Sequence, residues 1–352
     1  MPVATPHQYR AMLDAARKGG YALPAINVST VTAINGALKG LSEAGSDGIL
    51  QILPCAAEFA SGDSSTPAEG AIVLAEATHR LARQYDVLVG LHTDHCLPEQ
   101  LDTFLIPLIE ESERRQSIGV SNLFNSHMFD GSRMPLSENL KQAKHLLRRC
   151  AQLEIILEVE AGVVGGNEIE GDPESAEGVT TPEEMIAVYK NLEGEGRYLF
   201  AAAFGNLHGS YKAGDLKICP EVMRRGQKAV QKKFGKGAGF DFVFHGGSSS
   251  PTSVIREAIS YGVVKMNLDS DTLYAFTRPL AMHLFKHFDE ALRLDGEMGR
   301  KSAYDPQVYL RKSLDGLAAR VTEACDDLMC AGRSLLREQR SPADEPELVA
   351  AN

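Results

Sequence analysis

Three histidines, each at the end of an apolar segment, are the residues of this sequence best suited to chemistry. His95 lies in the segment LHTDHC at 91–96, and His208 and His245 follow two later apolar runs and directly precede glycine. Imidazoles from separate strands can converge on one metal ion, and three neutral imidazoles leave zinc an open coordination position. One such histidine alone would more often be a satisfied polar group at a sheet edge. The repetition therefore predicts a metal site.

The elements that must position these histidines alternate between short apolar runs and amphipathic stretches. The runs predicted as strands are 22–26, 48–53, 87–91, 122–126, 154–159, 198–204, 240–244 and 262–266. Helical periodicity is found between them, for example at 33–44, 68–83, 137–151, 182–191 and 251–260. Strands that alternate with helices form parallel sheets, and eight strands close a TIM barrel. We therefore predict an α/β fold, a TIM (β/α)8 barrel with extra carboxyl-terminal helices.

The predicted barrel places its functional groups at one rim. In TIM barrels the catalytic residues lie at the carboxyl ends of the strands and in the loops that follow them. The ionisable and ligating side chains that occupy this position are Asp94, His95, Asp130, Glu158, Glu160, His208, His245, Asn267 and Asp269. Chance placement would have scattered them over both ends of the barrel.

Two turns near the end of the predicted barrel have the composition of a phosphate site. The segment HGGSSSP at 245–251 and the segment NLDSDT at 267–272 each lead into a helix. Small residues at a helix start expose backbone N–H groups to an anion, and the loops after the seventh and eighth strands of TIM barrels often bind phosphate. Ordinary capped turns are the alternative, because Ser and Asp are common N-caps. The position of both turns favours phosphate binding.

Length and composition narrow the class of protein. The 352 residues are 43% hydrophobic and 24% charged, which fits one soluble barrel domain. The net charge of −11 argues against nucleic acid as a partner, because phosphate-backbone binding relies on clustered Lys and Arg. The sequence has no leader-like pattern and no long apolar run, and its six cysteines form no disulfide framework. We therefore expect a cytoplasmic protein without a membrane partner.

The ordered set of motifs resembles one enzyme family. The matching segments are LHTDHC at 91–96, SHMFDGS at 126–132, LEVEAGVVGG at 157–166, AAAFGNLHGSYKAG at 201–214, FVFHGGS at 242–248 and YGVVKMNLDSDT at 261–272. From about Thr5 to Leu336 the sequence is similar to class II, zinc-dependent fructose-1,6-bisphosphate aldolases of the bacterial and fungal type. The resemblance implies reversible cleavage of a ketose 1-phosphate into dihydroxyacetone phosphate and an aldehyde, through an enediolate that a divalent ion stabilises.

The resemblance assigns the metal ligands residue by residue. His95, His208 and His245 become the ligands of a zinc ion, and Glu160 becomes a further ligand in some metal positions. A monovalent cation near the phosphate site belongs to the same implied set of cofactors.

The resemblance also assigns the groups that move protons and bind substrate. Asp94 becomes the acid and base at the aldehyde oxygen, and Glu168 handles the C3 proton, although their types alone fit a metal-ligand orienter and a solvated surface acid. Asp130 and Glu158 are secondary residues close to the site. The residues expected around the phosphorylated sugar are Asn27, Gly209, Lys212, Gly246, Ser248, Asn267, Asp269 and Ser270.

The residues expected near the aldehyde half of the substrate depart from the family pattern. Leu53 stands where the family has a serine, and Gln307 stands where it has an arginine that reaches the second phosphate across a dimer. A neutral amide does not replace a bidentate guanidinium at a phosphate, although Arg311 can compensate if its segment is helical. An aldolase of specialised metabolism with a non-phosphorylated or less polar acceptor is therefore one alternative.

Two further alternatives come from other functional classes. A metal-dependent sugar-phosphate isomerase or epimerase would use the same stabilised enediolate and stop before carbon–carbon cleavage. A non-catalytic metal-binding barrel would need neither Asp94 nor Glu168.

The carboxyl-terminal region extends beyond what closes a barrel. Residues from about 273 to 336 are amphipathic and helical in pattern, and the resemblance implies that they form a homodimer or a homotetramer. A helical cap on a single subunit is the alternative. We assign residues 1–338 to one domain and expect 339–352, with its prolines and acids, to be a disordered tail.

Overall fold

Eight parallel strands close into a barrel in the order in which they occur in the chain. The computed structural model describes residues 2–63, 65–161, 179–205, 218–248, 250–293 and 295–338. The strands are β1 (Leu23–Asn27), β2 (Gly48–Ile52), β3 (Val89–Cys96), β4 (Ser126–Phe129), β5 (Ile156–Ala161), β6 (Tyr198–Ala202), β7 (Phe242–Phe244) and β8 (Val263–Leu268). The pairing of β8 with β1 completes the ring, so the predicted TIM barrel is confirmed.

Helices connect the strands and form the outer layer of the barrel. Helix α1 (Pro6–Gly19) precedes β1. The helices between strands are α2 (Val31–Ala44), α3 (Pro54–Ser61), α4 (Pro67–Ala82), α5 (Ile106–Ser117), α6 (Leu136–Gln152), α7 (Pro182–Leu192), α8 (Glu221–Phe234) and α9 (Thr252–Ser260). After β8 follow α10 (Ser270–Lys286), α11 (Phe288–Ala291), α12 (Lys301–Tyr304), α13 (Pro306–Asp327) and α14 (Leu335–Glu338). None of the helices within these ranges is both long and apolar enough to cross a membrane.

The fourth strand is displaced from the run that was predicted to form it. The prediction was 122–126, and β4 occupies Ser126–Phe129. Asn125 accounts for the difference, because its side chain accepts a hydrogen bond from the backbone N–H of Leu91 at 2.9 Å and donates one to the carbonyl of Ala4 at 2.8 Å. The Asn125 side chain therefore forms hydrogen bonds with backbone groups directly before the residue at which β4 begins.

Helix α1 covers the amino-terminal end of the barrel. Its first turn is capped by Thr5, whose hydroxyl accepts from the backbone N–H of Gln8 and whose backbone N–H donates to the Gln8 side chain, which forms a capping box. Tyr9 is buried and lies so close to Gly90 that a Cβ there would come within 2.4 Å of the ring. With this end filled, the opposite end, at the carboxyl termini of the strands, is where the site forms.

The last long helix completes the outer layer instead of projecting away from it. Helix α13 packs on α2 at a close approach through Gly40, where a Cβ would lie 2.5 Å from the carbonyl oxygen of Ala318. The segment beyond α13 is held by the buried carboxylate of Asp47, which accepts from the hydroxyl of Ser334 at 2.6 Å and the backbone N–H of Leu335 at 2.9 Å. The first and last parts of the described chain are therefore packed together.

Candidate active site

The segment LHTDHC forms all of β3 except its first two residues and supplies the centre of the site. In a regular strand Asp94 and His95 would face opposite sides of the sheet. His95 has a φ of 41°, and the β3–β4 register shifts between Thr93 and Cys96. Irregularities of this kind redirect side chains at strand ends. The two neighbours therefore share one cluster, in which His95, Asp94 and His245 offer ligand atoms within 4.8 Å of one another.

Carboxylates orient both histidines of this cluster. Nδ1 of His95 donates to Asp130 at 2.9 Å, and Nε2 of His245 donates to Glu158 at 2.7 Å. Such bonds fix the tautomers in which the other ring nitrogen, Nε2 of His95 or Nδ1 of His245, carries the lone pair. Glu160 lies 3.4 Å from Nδ1 of His245. Asp130 and Glu158, predicted as secondary residues, therefore each accept a hydrogen bond from one of the two candidate ligands.

The charges of the cluster fit a bound cation. Asp94, Asp130, Glu158 and Glu160 are all buried, and the buried cationic side chain among the residues with described burial is Lys265. Imidazole and carboxylate donors in this number suit a divalent transition metal. A divalent ion would offset the excess negative charge, so the donor set meets the requirement for a metal site.

The pKa values of the two histidines differ because their neighbours differ. Burial lowers the pKa of His95, but the adjacent carboxylates of Asp94 and Asp130 raise it well above its ordinary value. Burial, together with repulsion from His95, holds the pKa of His245 well below its ordinary value. Burial alone would raise the pKa of Asp130, but its bond with His95 brings that pKa below the ordinary range. The two shifts therefore run in opposite directions because His95 lies beside Asp94 and Asp130, whereas His245 lies beside His95.

Two amide side chains hold Asp94 in place. Gln51 on β2 donates from Nε2 to Oδ2 of Asp94 at 2.8 Å, and Asn267 on β8 donates from Nδ2 to Oδ1 at 3.0 Å. Asp94 is 1% exposed. A buried carboxylate with two donors on fixed strands has one defined orientation, as an acid–base group needs.

Two polar residues of the site were missed by sequence reasoning. Gln51 lies in the apolar stretch GILQI of β2, and Lys265 lies in VVKMNL of β8. Both are fully buried. A polar side chain inside an otherwise continuous apolar run was the available signal, because a buried polar group must meet a partner in the interior.

The predicted phosphate turns lie side by side above β7 and β8. Gly246 has a φ of 62°, which favours glycine, and Ser270 begins α10. The hydroxyl of Ser248 donates to Asp271 at 3.0 Å, and Asp271 is in turn paired with Arg320 of α13 at 2.7 Å. These side-chain contacts therefore connect the two turns to α13.

The remaining predicted residues have different outcomes. Asn27, at the end of β1, has a buried Oδ1 without a hydrogen-bond partner among the described residues, and Asp269 precedes α10. Leu53 follows β2 and is 8% exposed. The residues Glu168, His208, Gly209 and Lys212, and the tail 339–352, lie outside the described residues.

The two residues predicted to bear on the second phosphate lie at the start of α13. Gln307 and Arg311 are exposed on its first turns. Within the described ranges neither forms an ion pair with the Asp94 cluster, and the backbone of Gln307 donates to Asp305. One chain alone does not bring them to the site.

Comparison with known proteins agrees with this geometry. Residues 7–333 match the family model described as fructose-bisphosphate aldolase class-II. The fructose-bisphosphate aldolase of Mycobacterium leprae is 48% identical over 342 residues, which cover 95% of this chain and 99% of the relative. That of Corynebacterium glutamicum is 47% identical with the same coverage. A crystal structure of fructose-bisphosphate aldolase from Campylobacter jejuni superposes with a TM-score of 0.81 at 33% identity, covering 94% of this chain and 97% of that one.

Proposed function

The chain belongs to the class II fructose-bisphosphate aldolase family, and on that premise we propose how it performs the reversible aldol cleavage of fructose 1,6-bisphosphate. The products are dihydroxyacetone phosphate and glyceraldehyde 3-phosphate. The observation that carries the proposal is the cluster of Asp94, His95 and His245 at the rim of the barrel, with donor atoms within 4.8 Å.

We assign zinc to this cluster. His95 and His245 are its ligands from the described residues, His208 is the third, and Glu160 is an alternative ligand close to His245. A divalent ion there supplies Lewis-acid stabilisation of the negative charge that develops beside the ketone. Asp130 and Glu158 hold the two imidazoles in the ligating tautomers.

Asp94 is the group that moves the proton on the oxygen of the aldehyde carbon. In the cleavage direction it accepts the C4 hydroxyl proton, and in the condensation direction it returns that proton. Gln51 and Asn267 orient the carboxylate for both directions. Glu168 is assigned the C3 proton from the family pattern. The turns that contain Gly246 and Ser270 bind the C1 phosphate through backbone N–H groups, together with Asn27, Gly209, Lys212, Ser248, Asn267 and Asp269 and a monovalent cation.

A coupled assay tests this function. Purified protein loaded with zinc is expected to release dihydroxyacetone phosphate from fructose 1,6-bisphosphate, to lose that activity on chelation and to regain it with zinc. Asp94→Asn is expected to keep its zinc and lose turnover. A protein that interconverts ketose phosphates without releasing a three-carbon product would instead be an isomerase or epimerase, and one that binds zinc without turnover would be a non-catalytic barrel.

One observation favours a second candidate substrate for the same chemistry. Leu53 lies two residues after Gln51, is nearly buried, and lies outside the main hydrophobic cluster of described residues. An apolar group at this edge suits an aldehyde that is less polar than glyceraldehyde 3-phosphate. Aldehydes with and without phosphate, each paired with dihydroxyacetone phosphate, would separate the two. A kcat/KM at least as high for the unphosphorylated aldehyde would support the second candidate.

A second copy of the chain is the proposed partner. Large apolar side chains are exposed along α10, α11 and the segment after them: Leu273, Tyr274, Met282, Phe285, Phe288, Leu292 and Met298. Exposed large apolar side chains that follow one another along neighbouring helices are typical of a protein interface. We propose that these helices form the interface of a homodimer or a homotetramer. We also propose a cytoplasmic location, because all six cysteines are free thiols, as suits a reducing compartment.

A further inference from the structure

Lys265 is a buried lysine at the centre of the barrel, two residues before Asn267 on β8. Its side chain is 0% exposed, and Nζ lies 2.9 Å from Oε2 of Glu158 and 2.7 Å from Oδ1 of Asn267. An ammonium group has three donors and no acceptor, so each neighbour must present an oxygen to it. Lys265 therefore fixes which atom each of these two neighbours turns toward it.

The contact with Asn267 determines how Asp94 is held. A side-chain amide can present either its oxygen or its nitrogen after a half-turn, and the hydrogen-bond network decides between them. Lys265 takes the oxygen, and Nδ2 of Asn267 then faces both carboxylate oxygens of Asp94, at 3.0 and 3.3 Å. Without the ammonium group the reversed amide would place an oxygen against a carboxylate.

The contact with Glu158 determines how His245 is held. Lys265 engages Oε2 of Glu158, and the other oxygen, Oε1, accepts from Nε2 of His245 at 2.7 Å. This arrangement keeps the lone pair of His245 on Nδ1. His92 also lies near the same carboxylate, with Nε2 at 3.5 Å from Oε2 of Glu158. Lys265 therefore contacts both the amide that bonds to Asp94 and, through an ion pair, the carboxylate that bonds to His245.

We propose that Lys265 is a positioning residue that orients the acid–base group Asp94 through Asn267 and the ligand His245 through Glu158. The part that concerns Asp94 rests on the proposed aldolase function. The part that concerns His245 rests on metal binding alone, so the two can fail separately.

Lys265→Met tests the proposal, because methionine keeps an unbranched stem and removes the cation. The zinc affinity of the metal-free protein, measured by competition with a chromogenic chelator, is expected to fall about 10–100-fold, as is usual when a group that orients a metal ligand is lost. With zinc in excess, kcat is expected to fall by about the same factor while KM changes little. Lys39→Met is the matched control, because Lys39 forms an exposed ion pair with Asp315 at 2.7 Å. It is expected to match the wild type in both measurements.

A double variant tests whether the effects of Lys265→Met come only from loss of folding. Lys265→Met combined with Glu158→Gln removes both charges of this ion pair, so Glu158 is not left as a buried carboxylate without its cation. It is expected to fold and to remain weaker than the wild type in zinc affinity and kcat. A folded single or double variant with the zinc affinity and kcat of the wild type would overturn the proposal.

A second comparison isolates the route to Asp94. If Lys265 acts through Asn267, Lys265→Met must reduce kcat much less in an Asn267→Ala background than in the wild type. An equal reduction in both backgrounds would refute that route. A wild-type protein that binds zinc and cleaves no fructose 1,6-bisphosphate would refute the proposed function, and the zinc measurements would still decide the role of Lys265 toward His245.

Discussion

Replacement of Gln51 by leucine offers a direct measure of how strongly the barrel interior orients the acid–base group. Leucine is close to glutamine in size and removes the 2.8 Å bond from Nε2 to Asp94 while Asn267 keeps its own bond. A hydrogen bond to a charged group contributes about 1.5–3 kcal/mol. Since about 1.4 kcal/mol corresponds to a tenfold change in rate, kcat for fructose 1,6-bisphosphate is expected to fall roughly 10–150-fold if the bond matters mainly in the transition state.

A second buried glutamine provides the control for this experiment. Gln227 donates to the carbonyl of Phe240 at 2.9 Å and accepts from its N–H at 3.0 Å, away from the metal cluster. Gln227→Leu leaves the N–H of Phe240 without a partner, while its carbonyl keeps the bond from Arg17, so the substitution is expected to lower Tm by a few degrees and leave kcat unchanged. A Gln51→Leu protein with full zinc occupancy and a kcat within about threefold of the wild type would refute the argument that this bond orients Asp94.

Three other outcomes follow from the structure. Phe285 is 79% exposed, and a twofold interface would bury this side chain from both subunits. Phe285→Asp is therefore expected to raise the dimer Kd, measured by sedimentation velocity, roughly 10²–10⁴-fold. An unchanged Kd would place the interface elsewhere. Asp130→Asn is expected to weaken zinc binding about 10–100-fold in chelator competition, and an unaltered affinity would remove Asp130 from the support of His95. Bonds from Arg148 and Lys144 lower the pKa of Glu195 to about 2 from 4.5. The stabilisation that the ionised Glu195 carboxylate provides is therefore present above about pH 4.5 and is lost as the pH falls toward 2. The difference in Tm between the wild type and Glu195→Gln should shrink over that pH range, and a constant difference would contradict this.

The architecture could be predicted because it is repeated along the chain. Apolar runs and helical stretches alternate eight times, and each repetition adds independent support for a parallel barrel. The exact position of β4 could not be predicted, since the side chain of Asn125 bonds to backbone groups of Leu91 and Ala4 that are distant in sequence. Propensity and periodicity carry no information about such a bond.

The residues of the candidate site also include some that the sequence predicts and some that it does not. His95, Asp94 and His245 could be predicted because strand ends meet at one rim, and their motifs are local in sequence. The polar types of Gln51 and Lys265 within apolar runs signal only that each needs a buried partner. Their partners could not be predicted, because closure of the barrel brings β2, β5 and β8 around a common interior. Likewise Asp271, which accepts from Ser248, also pairs with Arg320, and that ion pair depends on where α13 packs.

The junction between the two ends of the chain also has a consequence for synthesis on the ribosome. The β8-facing edge of β1 and the carboxylate of Asp47 both wait for partners that are made much later in translation, among them Ser334. At about 5–20 residues per second, the interval between Asp47 and Ser334 lasts roughly 15–60 s. The edge of β1 stays unpaired until β8 is made about 240 residues later, roughly 12–48 s at the same rate. An unpaired edge of this kind favours association with other strands, so chaperones that cover exposed strands are expected to bind the nascent chain before β8 is made.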